Sequence, residues 1–275
     1  MSGDPLVSVC IPAYNCEKYV SACIESVLSQ TFHNIEIIVI DDCSTDATWE
    51  RLQEFSDPRL SLSKNTRNLG AEQNWNACLE QARGKYIQFL PSDDQLYPEA
   101  IAKRVAVLEA SGNRDLSFVF SARHIVDAED KRVMTALLSK AGRRDRSDLV
   151  RQNVTRGMNV IGEPACVLFR SSCAMKAGGF SAKLPYLIDL DYWIRLLEFG
   201  DAWCLAEPLC SFRLTGQNWT FRLKSERRDN YLALIDAIAG LPWVNISRTS
   251  VMTGKARAYL NELLRVLFYK FVVKV

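Results

Sequence analysis

The chain has 275 residues, long enough for one large domain or two closely joined lobes, and at 48% apolar and 24% charged it excludes intrinsic disorder. Its 34 basic and 32 acidic residues nearly cancel, which excludes a dedicated nucleic-acid binder, and no stretch approaches the ~20 unbroken apolar residues of a bilayer span. With only His33 and His124, any metal must be held by oxygen ligands, and nine cysteines without a C-x-x-C pair point to reduced thiols in a cytosol. The start, Met1-Ser2-Gly3-Asp4-Pro5, is not that of a signal peptide.

Val7-Ser8-Val9-Cys10-Ile11 is a β-branched run stopped by Pro12 and reads as a buried strand. From Glu17 to Gln30 the apolar residues Tyr19, Val20, Cys23, Ile24, Val27 and Leu28 recur at helical spacing. A second strand, Ile35 to Ile40, ends at Asp41-Asp42; Ser44-Thr45-Asp46 then offers capping side chains for a helix from Thr48 to Phe55. Leu60-Ser61-Leu62 predicts a weak third strand and Asn74 to Gln81 a helix. A fourth strand, Tyr86 to Leu90, again runs into acids, Asp93-Asp94. Strands alternating with crossover helices imply a mostly parallel sheet covered on both faces.

Further on, Leu116 to Ser121 and Ala165 to Phe169 predict strands, Lys140 to Asp148 a charged loop, and Gly178-Gly179-Phe180 a turn. Asp189 opens a helix carrying Tyr192-Trp193-Ile194, and Cys204 to Phe212 returns as a strand around Pro208. From residue 222 onward ten basic residues face four acids, a net +6, against −4 for the remainder. The terminal Leu263–Val275 segment is apolar with interspersed cations. It is too short and charged to span a bilayer, and suits either an anionic membrane interface or a packing or dimer helix.

Parallel strands present their carboxyl ends on one edge, where ligands of open α/β sheets bind. Asp41, Asp42, Asp93 and Asp94 should therefore converge on one crevice, and clustered carboxylates repel one another unless a cation neutralises them.

Val7 to Asn15, Ile38 to Asp46 and Phe89-Leu90-Pro91-Ser92-Asp93-Asp94, in this order and spacing, resemble glycosyltransferase family 2, and the match runs from about Pro5 to Trp219. The resemblance implies the GT-A fold: α/β, a mostly parallel central sheet flanked by helices, with a helical C-terminal tail. It also implies a nucleotide-sugar donor and inversion at the anomeric carbon. By it, residues 1–100 form a Rossmann-like donor half, 101–221 an acceptor and catalytic half, and 222–275 a basic helical extension.

Carried over residue by residue, Pro12, Ala13 and Tyr14 would line the nucleobase and ribose, while Asp42 accepts hydrogen bonds from the base, by resemblance uracil. Asp41 would be a structural cap. Asn68-Leu69-Gly70 and Asn76 resemble the element that supports the donor pocket, with Trp75 where many relatives carry arginine. Asp93 would be the first metal ligand and donor contact and Asp94 the second, for Mn²⁺ or Mg²⁺ bridging the donor phosphates. Pro91 stands where an Asp often begins that motif. Asp189 would be the catalytic base, with Ile188 in place of a Glu and Asp191 a helix N-terminal acid. In Phe212–Asn218, Thr215 replaces a frequent histidine, and Arg213 would steady the segment, salt-bridge a loop acid or reach the diphosphate.

The expected enzyme is thus a metal-dependent, non-processive transferase. Its acceptor would be a glycan or lipid-linked sugar, with no nucleic-acid partner, and its place cytoplasmic, at the inner membrane face if the basic tail makes contact. A homo-oligomer through that tail is the other expectation. The alternatives are a turnover-deficient GT-A-like binding module, suggested by Pro91, Trp75, Ile188 and Thr215, and a sugar nucleotidyltransferase. The latter lacks its glycine-rich loop here, because Pro12 to Glu17 occupies that place.

Overall fold

A computed structural model describes residues 5–137, 139–215, 223 and 225–268. Its strands are β1 (Val7–Ala13), β2 (Ile35–Asp41), β3 (Leu60–Lys64), β4 (Tyr86–Phe89), β5 (Gln95–Leu96), β6 (Leu116–Val126), β7 (Arg132–Ala136), β8 (Gly142–Arg144), β9 (Val167–Arg170) and β10 (Asp201–Arg213). The helices are α1 (Val20–Leu28), α2 (Thr48–Gln53), α3 (Ala71–Gln81), α4 (Ala100–Glu109), α5 (Arg146–Arg156), α6 (Ser171–Ala177), α7 (Ile188–Leu197), α8 (Arg227–Ala239) and α9 (Arg248–Phe268). The ten strands form one sheet, β3-β2-β1-β4-β9-β6-β10-β5, with β7 added to β6 and β8 to β10.

β1, β2, β3 and β4 pair in parallel, as do β6 and β10, and β9 is antiparallel to both β4 and β6. β4 and β6 thus point the same way across a reversed β9, and six strands share one carboxyl edge. The expected α/β architecture is present. β1 and β2 are buried along their whole length, as apolar runs covered on both faces must be. Pro208, which donates no ladder bond, sits where the β6–β10 register shifts on either side of it, so β10 accommodates it at a bulge.

Local chemistry places the helices. Asp46 Oδ1 accepts from Thr48 N–H (3.0 Å) at the start of α2, and Asp145 accepts from Asp148 N–H (2.9 Å) at the start of α5. The charged segment Lys140–Asp148 is thus not all loop: it contains β8 and the first turn of α5. Its arginines hide it from a search for apolar periodicity, yet Arg143 is tied to both Asp115 and Asp201.

α9 packs across the end of α5 through backbone. Gly157 ends α5 in the left-handed region (φ +59°), where a Cβ would meet Ala258 N at 2.6 Å. A Cβ on Gly254 would meet Val154 O at 2.2 Å. Asn261 closes the contact by donating to Arg156 O (2.7 Å) and Gly157 O (3.0 Å). Among the described residues no helix is long and apolar enough to cross a membrane, and all nine cysteines are free thiols.

Candidate active site

The acids at the carboxyl edge do different work. Asp41 is fully buried and accepts from Ser44 N–H (3.2 Å) and Oγ, with Lys64 Nζ at 3.6 Å, so it is the structural cap of its loop. Asp42, also buried, accepts from Asn65 Nδ2 (2.8 Å), Leu69 N–H (2.8 Å) and Gly70 N–H (2.9 Å). Charge-assisted bonds of this kind pin the 65–70 loop against β2. Gly70, at φ +81°, is the turn before α3, and Asn68 Oδ1 also accepts its N–H (3.0 Å). Of about four acceptor positions on a carboxylate, one on Asp42 Oδ2 is left open among the described residues. Asp42 N–H in turn donates to Ala13 O (2.8 Å). Ala13, Asp42, Asn68 and Gly70 therefore form one hydrogen-bonded group; Pro12 is buried in β1, and Tyr14 beside it is 37% exposed.

A second group gathers around a cavity of about 450 Å³, whose lining includes Asp93, Asp189, Glu163, Arg123, Trp75 and Pro91. Asp94 lies next to it, almost fully buried; its Oδ1 accepts Arg213 N–H (2.9 Å), while Oδ2 has no hydrogen-bond partner among the described residues. Burial pushes both carboxyls above the ordinary range, Asp94 far more so because the charge of Asp93 adds to it. Arg213 braces this loop: Nε donates to Asp93 O (2.9 Å), Nη1 to Asp127 O (3.1 Å), and Nη2 pairs with Asp130 (2.5 Å). Of the three roles open to it, Arg213 thus steadies the segment and salt-bridges a loop acid. Gly216, Gln217, Asn218 and Trp219 lie outside the described residues, as do Tyr269–Val275.

The donor set at Asp93 and Asp94 fits a divalent cation. Two adjacent carboxylates, one with an orphaned buried oxygen, suit Mg²⁺ or Mn²⁺, which take one or two protein carboxylates and complete their shell with phosphates and water. No group of three or more His, Cys, Asp or Glu side chains forms a metal cage among the described residues.

Trp75 packs against Phe89 (5.5 Å between ring centres, tilted) and edge-on against Phe180 (5.1 Å). Asn76 clasps the backbone of Phe180 at both ends, donating to its O (3.0 Å) and accepting its N–H (2.7 Å). Both α3 residues therefore join the first half of the chain to the 178–180 turn.

Asp189 stands in the first turn of α7, and its Oδ1 accepts Leu190 N–H (2.7 Å). Its pKa is pushed up to about 7, first by burial and then by the charge of Glu163. The turn preceding it is buttressed from the C-terminal helices: Tyr186 N–H donates to Asn230 Oδ1 (2.9 Å), and Arg265 Nη1 donates to Tyr186 Oη (3.0 Å).

Sequence reading did not find Glu163, Arg123 or Asn159. Glu163 pairs with the buried Arg123. Asn159 Oδ1 accepts Ile161 and Gly162 N–H (2.9 Å each), its Nδ2 reaches Asp189 Oδ2 at 3.5 Å, and its own N–H rests on Tyr231 Oη (2.9 Å). The available signal was Glu163-Pro164 just ahead of a strand, a place where strand-end logic does not look.

Residues 8–174 match the family described as "Glycosyl transferase family 2". An uncharacterized protein of Mycobacterium tuberculosis is 33% identical over 264 residues, covering 93% of this chain and 81% of that protein. The UDP-Glc:alpha-D-GlcNAc-diphosphoundecaprenol beta-1,3-glucosyltransferase WfaP of Escherichia coli is 44% identical over 104 residues, 38% of this chain and 41% of its own. Among solved structures, S. aureus TarS 1-349 in complex with UDP-GlcNAc superposes with a TM-score of 0.68 at 18% identity, over 96% of this chain and 73% of that one. With the acids of its carboxyl edge, its GT-A-like sheet and these relatives, the chain belongs to glycosyltransferase family 2.

Proposed function

We propose that this transferase is an inverting enzyme that moves a sugar from a UDP-sugar to a hydroxyl of a glycan or lipid-linked acceptor, in the assembly of a bacterial surface polysaccharide at the cytoplasmic side. One observation carries the reading: Asp93 and Asp189, from opposite halves of the chain, line one cavity. UDP as donor nucleotide is supported by the relatives, since WfaP is named for UDP-Glc and the TarS complex contains UDP-GlcNAc.

In this reading residues 1–100 hold the donor, 101–221 the acceptor, and 222–275 form the helical extension. Tyr14 offers its exposed ring to the base, and the open position on Asp42 Oδ2 takes the N–H of a uracil edge. Pro12, Ala13, Asn68 and Gly70 shape the backbone around it. Asp189 takes the proton of the acceptor hydroxyl as that oxygen attacks the anomeric carbon opposite the nucleoside diphosphate. A positioned base of this kind is worth about 10²–10⁴-fold, and a pKa near 7 suits it. A divalent cation held by Asp93 and Asp94 would supply positive charge beside the departing diphosphate.

Calorimetric titration of UDP with and without Mn²⁺, on wild type and Asp93→Ala, tests the donor half. Binding that needs metal and is lost in the variant is expected; equal affinity in all arms refutes the assignment. For the base, Asp189→Asn should retain UDP affinity while turnover falls at least 10²-fold.

A further inference from the structure

The turn between α5 and β9, residues 159–163, is built around one side-chain amide. Asn159 Oδ1 accepts both Ile161 N–H and Gly162 N–H (2.9 Å each), which fills its two acceptor positions. Its Nδ2 is thereby turned the other way, one hydrogen to Gly162 O (3.2 Å) and one toward Asp189 Oδ2 (3.5 Å). The amide cannot be flipped without losing all four contacts.

The same turn is clamped to the helix that carries Asp189. Asp189 and Trp193 stand four residues apart on α7 and so share a face. The buried Trp193 donates from Nε1 to Gly162 O (3.1 Å), while the Asp189 carboxyl meets Asn159. A Cβ on Gly162 would lie 2.9 Å from Cys166 Sγ and 3.1 Å from Arg123 Nη1, so the turn is held closely on that side as well.

On its far side the turn rests on α8. The buried Tyr231 accepts Asn159 N–H on Oη (2.9 Å), and Asn153 of α5 accepts Val160 N–H on Oδ1 (3.0 Å). Asp189 is thus touched on one carboxyl oxygen by its own helix, through Leu190 N–H (2.7 Å). Its other oxygen meets a group whose place is set from α8.

From this arrangement we propose that Asn159 is the positioning residue for Asp189: its Nδ2 holds Oδ2 of the ionised carboxylate, and Tyr231 on α8 holds Asn159 in place. An amide N–H donates to a carboxylate but accepts nothing from the O–H of a protonated acid, so Asn159 favours the ionised form. Arg123 of β6 acts in the same direction, while burial and the charge of Glu163 act against both. Tyr186, Tyr231, Arg265 and Asp93 are the other titratable or charged side chains on the same cavity. That Asp189 is the base rests on the transferase reading above; that Asn159 holds it does not.

NMR of the full chain, labelled with carbon-13 at the aspartate carboxyl carbons, reads the titration midpoint of each aspartate. Asp189→Asn identifies the Asp189 signal, whose wild-type midpoint should lie near 7. Asn159→Ser keeps a short oxygen acceptor for the Ile161 and Gly162 N–H groups and adds no charge, but its hydroxyl stops short of Asp189. It should raise the midpoint by about half a pH unit or more, a roughly threefold or larger fall in the ionisation constant. Tyr231→Phe removes a single hydroxyl and should raise the midpoint by a smaller amount. Asp191, two residues on and paired with Arg195 (3.0 Å), is the internal control and should titrate as in wild type.

An Asp189 midpoint that is unchanged or lowered in Asn159→Ser overturns the positioning role. So does a shift of Asp191 as large as that of Asp189, which would mark a loss of the turn as a whole. Should Asn159→Ser not fold, Tyr231→Phe decides: a raised midpoint supports the proposal and an unchanged one overturns it. A raised midpoint in Asn159→Ser with none in Tyr231→Phe overturns the link to α8 alone. Normal turnover by Asp189→Asn would instead remove the base reading and leave the hold of Asn159 on the carboxyl standing.

Discussion

Asp189 is a carboxyl held where ionisation is costly, and that cost is measurable twice. As the proposed base it would work only when deprotonated, so log kcat should rise with pH at unit slope and level off above about 7. In stability the sign is opposite. The folded protein holds this proton up to about pH 7, whereas the ordinary value is 3.8, so Asp189 contributes stability at low pH that is lost as pH rises through about 7. Asp189→Asn should therefore be more stable than wild type at pH 8 by about 1–2 kcal/mol, discounted for exposure to the cavity, and equal to it near pH 4. Urea melts at the two pH values measure this. Glu163→Gln should move the activity limb below pH 7, because a charge that raises Asp189 is gone and Arg123 then acts on it unopposed. It should also lower stability by about 3 kcal/mol, since Arg123 stays buried without its partner.

At the scale of elements, the α5–α9 crossing is the most exacting contact. Gly157→Ala places a Cβ against the Ala258 backbone in a left-handed conformation and should cost about 2–3 kcal/mol, read as a lower urea midpoint. The parallel elements were legible because apolar runs ended by Pro12 or by Asp pairs mark buried strands and their carboxyl ends, and β1, β2 and β4 lie where those runs are. Asp41 as a cap also follows from local chemistry. β9 was legible as a strand but not as a reversed one, since direction is set by pairing partners far away in the chain. That reversal brings its amino end to the active edge and with it Glu163, which no rule about strand ends could place. α5 was missed for another reason: its first turn is all charged or polar, and its stabilising partners lie on β10 and α9.

For the whole molecule, the cavity is a joint product of residues before 100, residues between 123 and 214, and the C-terminal helices. A ligand that spans them should therefore stabilise the chain as one unit. UDP with Mg²⁺ at ~100-fold over its dissociation constant adds about 2.7 kcal/mol, a rise in Tm on the order of 5 °C for a chain of this size. Adding EDTA should remove most of the rise; a rise indifferent to EDTA would count against Asp93 and Asp94 as cation ligands. The wall that α9 contributes also has a consequence in time. Asp93 leaves the ribosome 175 residues before Phe268, an interval of roughly 9–35 s at about 5–20 residues per second. During it a nascent chain can form the edge that bears Asp93 before α9 supplies Asn261, Leu264, Arg265 and Phe268 to the cavity wall. Synthesis order thus makes α9 the last part of that wall to arrive.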